Sequence, residues 1–222
     1  MKRLFDFTAA SLALVLLSPV LLIIALFVKA TSPGPALYCG KRAGRQGKIF
    51  KMYKFRTMVA DADRLGGSCT SAGDARVTRS GYWLRKFKLD ELPQLLNVLV
   101  GDMSLVGPRP EVQEYVRLFT PEERAILSVR PGITDWASLW DRDEAQALAG
   151  HADPERAYLE LIRPEKIRLQ LEYVRRRSFA TDLAILVATL RILVLRGSAP
   201  SSVRTSVQSP VRSTGGSEAG KI

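Results

Sequence analysis

From Phe7 to Val28 the chain carries no charged side chain, and Leu, Val, Ile, Ala and Phe fill most positions. Such a run reaches the roughly 20 residues needed to cross the hydrocarbon core of a bilayer. Whatever else the chain builds must accommodate one apolar helix that water does not solvate. A cleaved signal peptide fits poorly, because the run outlasts the usual apolar stretch of about 7–15 residues and lacks a small-x-small exit. A plain spanning helix satisfies the hydropathy alone. Two features favour a helix that enters and leaves by the same face. Pro19 withdraws a backbone hydrogen bond and crowds the preceding turn, so a kink is expected at Ser18-Pro19. The Ser18 hydroxyl can return a bond to a freed carbonyl, which makes the break tolerable in lipid. The flanks are basic on both sides. Lys2 and Arg3 precede the run; Lys29, Lys41, Arg42, Arg45, Lys48, Lys51, Lys54 and Arg56 follow it, with no acidic residue from Lys29 to Ala60. Basic flanks prefer the cytoplasmic side. The expectation is a re-entrant helix-break-helix over residues 1–30.

Lys and Arg outnumber Asp and Glu by 33 to 22, a formal net charge of +11. That balance points to an anionic partner: nucleic acid, an anionic membrane surface or a phosphorylated substrate. Charge does not choose among them. Cys39 and Cys69 are far apart with no His cluster nearby, which argues against a zinc site or a disulfide framework and for a reducing, cytoplasmic setting. The single histidine, His151, sits in a polar stretch, so His-based catalysis is not expected.

Thr31-Ser32-Pro33-Gly34-Pro35 is a breaker cluster that ends the apolar helix. Ile49 to Arg56 reads as a strand whose period of two places Lys54 and Arg56 on the same face. Asp61 to Thr78 reads as a loop after a short helix. Tyr82 to Val100 is amphipathic and helical on both sides of Asp90. Thr120-Pro121-Glu122-Glu123 is a helix start with the makings of a capping box, and Arg130-Pro131-Gly132 ends that helix. Pro154 to Arg177 reads as helical with an interruption at Pro164. Leu183 to Leu195 is apolar but too short for a span and carries Arg191; a core helix or an interfacial one fits better. From Gly197 onward, Ser, Gly, Pro and Thr dominate, the composition of a disordered tail.

The chemistry concentrates around Leu84-Arg85-Lys86-Phe87-Lys88-Leu89-Asp90-Glu91-Leu92-Pro93-Gln94. Pro93 is acceptable only in the first turn of a helix, which places Asp90 and Glu91 at a helix N-terminus. The dipole there favours negative charge, and a nucleophile or metal ligand needs an ionised carboxylate. Arg85, Lys86 and Lys88, just upstream, could offset phosphate charge. Local sequence equally allows Asp90 as a simple N-cap beside a solvated basic face.

Lys88-Leu89-Asp90-Glu91-Leu92-Pro93-Gln94, Asn97-Val98 and Gly101-Asp102-Met103-Ser104-Leu105-Val106-Gly107-Pro108-Arg109-Pro110 together resemble the signature of the bacterial sugar transferases, the monotopic phosphoglycosyl transferases. The N-terminal helix with Ser18-Pro19, Tyr53-Lys54-Phe55-Arg56-Thr57-Met58 and Arg130-Pro131-Gly132-Ile133-Thr134 are similar to the family too. The resemblance covers about Lys2 to Leu195. It implies that Asp90 attacks the β-phosphate of a UDP-sugar, releasing UMP. Undecaprenyl phosphate then takes the sugar phosphate from the carboxylate. Glu91 would orient or deprotonate the acceptor, and Mg2+ held through Asp90 and the donor diphosphate would screen charge. Lys54, Arg56, Arg85 and Arg109 match basic positions around the phosphates. Implied too are a seat on the cytoplasmic face of a bacterial inner membrane and a lipid bilayer partner. No nucleic acid is implied, and pairing of two copies stays open. One departure stands out: members commonly carry Gly after Pro-Gly-Ile-Thr, whereas this chain has Asp135, followed by Trp136-Ala137-Ser138. That loop bears on which sugar is used.

The rivals are a membrane-tethered nucleic-acid binder, which would need a reader motif, and a non-catalytic membrane scaffold. The expected architecture is mainly α, small α+β: a re-entrant helix over 1–30, a cytoplasmic catalytic domain over 31–196 and a disordered tail over 197–222.

Overall fold

In the computed structural model, helix α1 (Lys2–Thr31) is one 30-residue element, about 45 Å long at 1.5 Å per residue. The structure describes residues 1–66, 70–141 and 144–195; Cys69 and the stretch 197–222 expected to be a disordered tail lie outside the described residues. Pro19 lies inside α1, so the helical run continues through the expected break. The missing Pro19 N–H leaves the Val15 carbonyl open, and the Ser18 hydroxyl donates to that carbonyl at 2.8 Å.

One stripe of α1 is buried along its whole length. Ala10, Ala13, Leu14 and Leu17 pack with Met52, Leu95, Val98 and Met103. Leu21, Ile24, Ala25 and Val28 pack with Phe55, Leu84, Leu89 and Leu92. Spacings of three and four put these residues on one helical face. Polar groups fix the N-terminal end. Lys2 Nζ meets Asp182 Oδ2 at 2.5 Å, and Arg3 donates to the Val98 and Leu99 carbonyls at 2.5 and 2.8 Å. The buried Asp6 carboxylate accepts from the Ser104 hydroxyl at 2.8 Å and the Leu105 N–H at 3.2 Å. The other face leaves Leu12, Val15, Leu16, Leu22, Ile23 and Leu26 exposed, an apolar surface larger than a soluble monomer ordinarily shows.

Strands β1 (Leu37–Ala43) and β2 (Ile49–Phe55) form an antiparallel hairpin with Leu37 opposite Phe55 and Ala43 opposite Ile49. Helices α2 (Ala62–Leu65) and α3 (Arg79–Lys86) follow, then a 3-10 turn over Leu89–Glu91 and α4 (Gln94–Val100). Strand β3 (Ser104–Val106), α5 (Gln113–Val116) and a 3-10 turn over Glu123–Ser128 lead to β4 (Gly132–Thr134), which pairs with β3 in parallel. The chain continues through α6 (Trp136–Trp140), α7 (Glu144–Ala147), α8 (Pro154–Ala157), a π turn at Tyr158–Ile162, α9 (Arg163–Arg176) and α10 (Phe179–Leu195). The fold is mainly helical with a small α+β component, as expected.

The capping box forms reciprocally. The Thr120 N–H donates to Glu123 Oε2 at 3.1 Å, and the Glu123 N–H donates to the Thr120 hydroxyl at 3.2 Å. What it starts is a short 3-10 turn rather than a full helix. At Pro164 the expected interruption appears as the π turn, which accommodates a ring that would otherwise crowd the carbonyl four residues back. Helix α10 buries Asp182, Ile185 and Ile192 and exposes Phe179, Leu183, Val187, Leu190 and Leu193. Its start adjoins that of α1, where Phe5 and Phe179 make an edge-to-face contact with centroids 5.3 Å apart.

Candidate active site

The segment between α3 and α4 is where the chain must turn and present acids at once. Lys88 takes the left-handed conformation at φ 56°, a conformation that costs a residue with a Cβ roughly 1–2 kcal/mol. That turn starts the 3-10 element, and Leu92 and Pro93 continue it with helical angles into α4. Asp90 and Glu91 thus sit on one turn at the head of a helix, as the placement of Pro93 predicts.

The two carboxylates have opposite surroundings. Glu91 Oε1 accepts from Lys54 Nζ at 2.8 Å and from Arg109 Nη2 at 2.5 Å, while Oε2 accepts from Arg109 Nη1 at 3.2 Å. Burial works to raise the Glu91 pKa, but Arg109 and Lys54 outweigh it and hold the group well below the usual carboxylate range. Asp90 is only 7% exposed, yet among the described residues none bonds to or pairs with its carboxylate. Burial pushes its pKa up and the neighbouring Glu91 charge adds to that; Lys54, Arg85 and Lys88 oppose. The pKa of Asp90 therefore stands above the ordinary carboxylate value, because desolvation and a like charge exceed the nearby cations.

Three cations surround the pair. Lys54 comes from β2, whose position on α4 is set by Asn97. The Asn97 amide accepts the Tyr53 N–H at 3.0 Å and donates to the Lys51 carbonyl at 2.7 Å, as a neighbouring strand would. Burial lowers the Lys54 pKa, against the pull of Glu91. Arg85 projects from α3 with Nε donating to the Thr57 hydroxyl at 2.9 Å. Burial lowers its pKa, opposed by Asp90 and Asp74, and a guanidinium stays charged regardless. Arg109 comes from the loop after β3, and Glu91 raises its pKa against burial.

Arg56 does not join them. Its guanidinium donates to the Ser32 carbonyl at 2.7 Å and to the Pro33 carbonyl, wrapping the breaker cluster that follows α1. Gly34 serves this contact, since at φ +114° a Cβ would fall 2.4 Å from Arg56 Nη1. The period of two therefore paired Lys54 with a residue whose work is structural. Ser18 and Pro19 lie in α1, and the Ser18 hydroxyl is spent on Val15. Thr57, Asn97 and Asp135 were not picked out as site residues, although each holds a cation or its strand in place. Asn97 and Thr57 lie within the family-like stretches, and Asp135 is the departure from the Gly common after Pro-Gly-Ile-Thr, so a signal marks each of them without giving its role.

Among the described residues no group of three or more His, Cys, Asp or Glu side chains converges as a metal cage. The unpaired Asp90 carboxylate nonetheless suits a hard divalent ion that takes most of its oxygens from phosphates and water, with the phosphates offsetting the neighbouring cations.

The fold and the dyad define a class: a small α+β domain built on an apolar helix, with adjacent carboxylates in opposite electrostatic states among three cations. Residues 1–196 match the family described as bacterial sugar transferase, and the chain belongs to that family. It is 38% identical over 196 residues to the UDP-N-acetylgalactosamine-undecaprenyl-phosphate N-acetylgalactosaminephosphotransferase of Aeromonas hydrophila, covering 87% of this chain and 43% of that protein. It is 40% identical over 197 residues to the undecaprenyl-phosphate glucose phosphotransferase of Komagataeibacter xylinus, covering 86% and 35%. To the UDP-glucose:undecaprenyl-phosphate glucose-1-phosphate transferase of Caulobacter vibrioides it is 40% identical over 196 residues, covering 87% and 69%. The chain thus spans less than half the length of the first two.

Proposed function

We propose that this chain is a phosphoglycosyl transferase that moves a sugar 1-phosphate from a UDP-sugar to undecaprenyl phosphate, starting the assembly of a bacterial surface glycan. The observation that carries the reading is the asymmetry of the dyad: Glu91 is saturated with cations, while Asp90 is buried and unpaired. An unpaired carboxylate with an upward-shifted pKa is the better nucleophile of the two once ionised.

Asp90 attacks the phosphorus of the donor's β-phosphate, and the bond to the bridging oxygen breaks. UMP leaves with that oxygen, and an acyl phosphate bearing the sugar remains on Asp90. An oxygen of undecaprenyl phosphate then attacks the same phosphorus. The Asp90 carboxylate departs, and the product is an undecaprenyl diphosphate sugar. Lys54, Arg85 and Arg109 stabilise the equatorial oxygens as charge redistributes. Glu91, held ionised by Arg109 and Lys54, is a poor base; its role is to keep those two cations aimed at the phosphates. An acceptor phosphate with a second pKa of about 6 needs no base at neutral pH. Mg2+ would be held by Asp90 together with donor phosphate oxygens, and would screen the negative charge gathered there.

The lipid acceptor also requires the site to lie at a membrane surface. Residues from Lys2 to Val28 contact the domain along one stripe of α1. A helix crossing a bilayer would draw that domain into the lipid. A helix bent at Pro19, so that it enters and leaves by the cytoplasmic face with Leu12, Val15, Leu22 and Leu26 toward the acyl chains, avoids this. Residues 1–30 then form the membrane element and 31–196 the catalytic domain.

The test is turnover of the nanodisc-embedded protein with a panel of UDP-sugars, Mg2+ and undecaprenyl phosphate. UMP should be released, a labelled donor should leave its sugar phosphate on the protein, and Asp90→Asn should abolish both. Release of UDP, or normal turnover by the Asn variant, would overturn the mechanism.

A further inference from the structure

Arg109 stands between Pro108 and Pro110, and proline supplies no N–H. Within this Pro-Arg-Pro stretch the single peptide donor is therefore that of Arg109, and its position decides where the guanidinium can go. That N–H donates to Asp135 Oδ2 at 3.3 Å. The Arg109 carbonyl accepts from Gln170 Nε2, on α9, at 3.4 Å. The N–H and the carbonyl of Arg109 are thus tied to the residue that caps α6 and to a side chain of α9.

Asp135 is fully buried and makes no ion pair among the described residues. Its other oxygen, Oδ1, accepts the Ser138 N–H at 2.6 Å and caps α6. Capping by itself does not call for a carboxylate, since Ser or Asn caps as well and carries no charge to desolvate. What the carboxylate adds is a second acceptor, and the group it receives is the Arg109 N–H. Burial raises the pKa of Asp135, which fits a group retained despite its desolvation.

We propose that Asp135 is a positioning residue for Arg109: its carboxylate couples the start of α6 to the Arg109 peptide and so aims the guanidinium at Glu91 and the donor phosphates. The inference rests on the assignment of Arg109 to the phosphate site. It gives a role to the position at which this chain departs from the Gly common in its family.

The test is a double-mutant cycle on the nanodisc-embedded protein, with donor kcat/KM as the readout. Asp135→Ser keeps an acceptor for the α6 cap and removes the acceptor for Arg109. It should lower kcat/KM about tenfold, mainly through the donor KM. In an Arg109→Met background the same change should have no further effect, because there is no guanidinium left to aim. Asp135→Asn serves if the Ser variant does not fold: it keeps one acceptor oxygen and turns an amide N–H toward the Arg109 N–H, donor against donor. An equal loss in both backgrounds, or an unchanged donor KM in the wild-type background, refutes the inference. Arg109→Met alone separates the two readings. If it retains wild-type kcat/KM, the assignment of Arg109 to the phosphate site fails; if it is impaired while the Asp135 variants are normal, only the positioning role fails.

Discussion

Replacing Arg109 by Met probes the dyad most directly. The change removes two of the three charge-assisted hydrogen bonds to Glu91 and leaves Lys54 at 2.8 Å. Stripping one partner from a buried ion pair costs about 3–5 kcal/mol when the remaining charge is left uncompensated. Here Lys54 remains, and the Arg109 side chain is 31% exposed, so a loss of about 2–3 kcal/mol is expected after allowing for solvent screening. For a chain of this size each kcal/mol moves the melting temperature by roughly 2–4 °C. The variant should melt about 4–12 °C lower at pH 7. The pH dependence has a definite sign. Glu91 has a depressed pKa in the folded state, so its contribution is fully present above the ordinary carboxylate value of about 4.3. It is lost as pH falls through the lower folded value. The gap between wild type and variant should be full at pH 7, narrow once the pH drops below about 4 and close below the depressed folded value. Calorimetry in nanodiscs across that range reads it. A melting temperature unchanged at pH 7, or a gap equally wide in strong acid, would refute the account of Glu91 as a carboxylate held ionised by two cations.

Turnover should fall in acid with an apparent pKa above the ordinary Asp value of about 3.9, because burial and Glu91 raise Asp90; a pH–rate profile for donor consumption checks this. Gly81→Ala should destabilise the fold by about 1–3 kcal/mol and impair turnover, since the added Cβ would meet the Thr57 carbonyl oxygen at 2.0 Å and push α3, with Arg85, away from its partner. Gln94 is fully buried with both amide atoms unpartnered among the described residues, so Gln94→Leu should raise the melting temperature by several degrees, the return of about 1–3 kcal/mol of unmade hydrogen bonding. Arg56→Met should lower the melting temperature while leaving the donor KM unchanged, the opposite of what its place beside Lys54 in the sequence suggests.

Much of the site was legible before folding because its constraints are local. Pro93 can stand only in a first turn, and that places Asp90 and Glu91 at the head of α4 whatever surrounds them. Thr120 and Glu123 formed their reciprocal cap for the same reason. The apolar run from Phe7 to Val28 likewise dictated helix, long and apolar enough to enter a bilayer. Where local logic reached too far, it stopped at a boundary set by neighbours. Pro19 was expected to divide the membrane helix, yet Ser18 supplies the Val15 carbonyl and the element continues.

What the chain alone determined, then, is which residue types stand at which helical positions, since backbone sterics and hydrogen-bond supply act within a few residues. Only the tertiary structure decided which of two adjacent carboxylates is paired and which is left unpaired. That outcome depends on Lys54 arriving from β2 and Arg109 from the loop after β3, 37 and 18 residues away in sequence. It also took Arg56 out of the site and gave Asp135 a partner across 26 residues. Coulomb interactions and desolvation are set by distance in space, and spacing along the chain does not encode that distance.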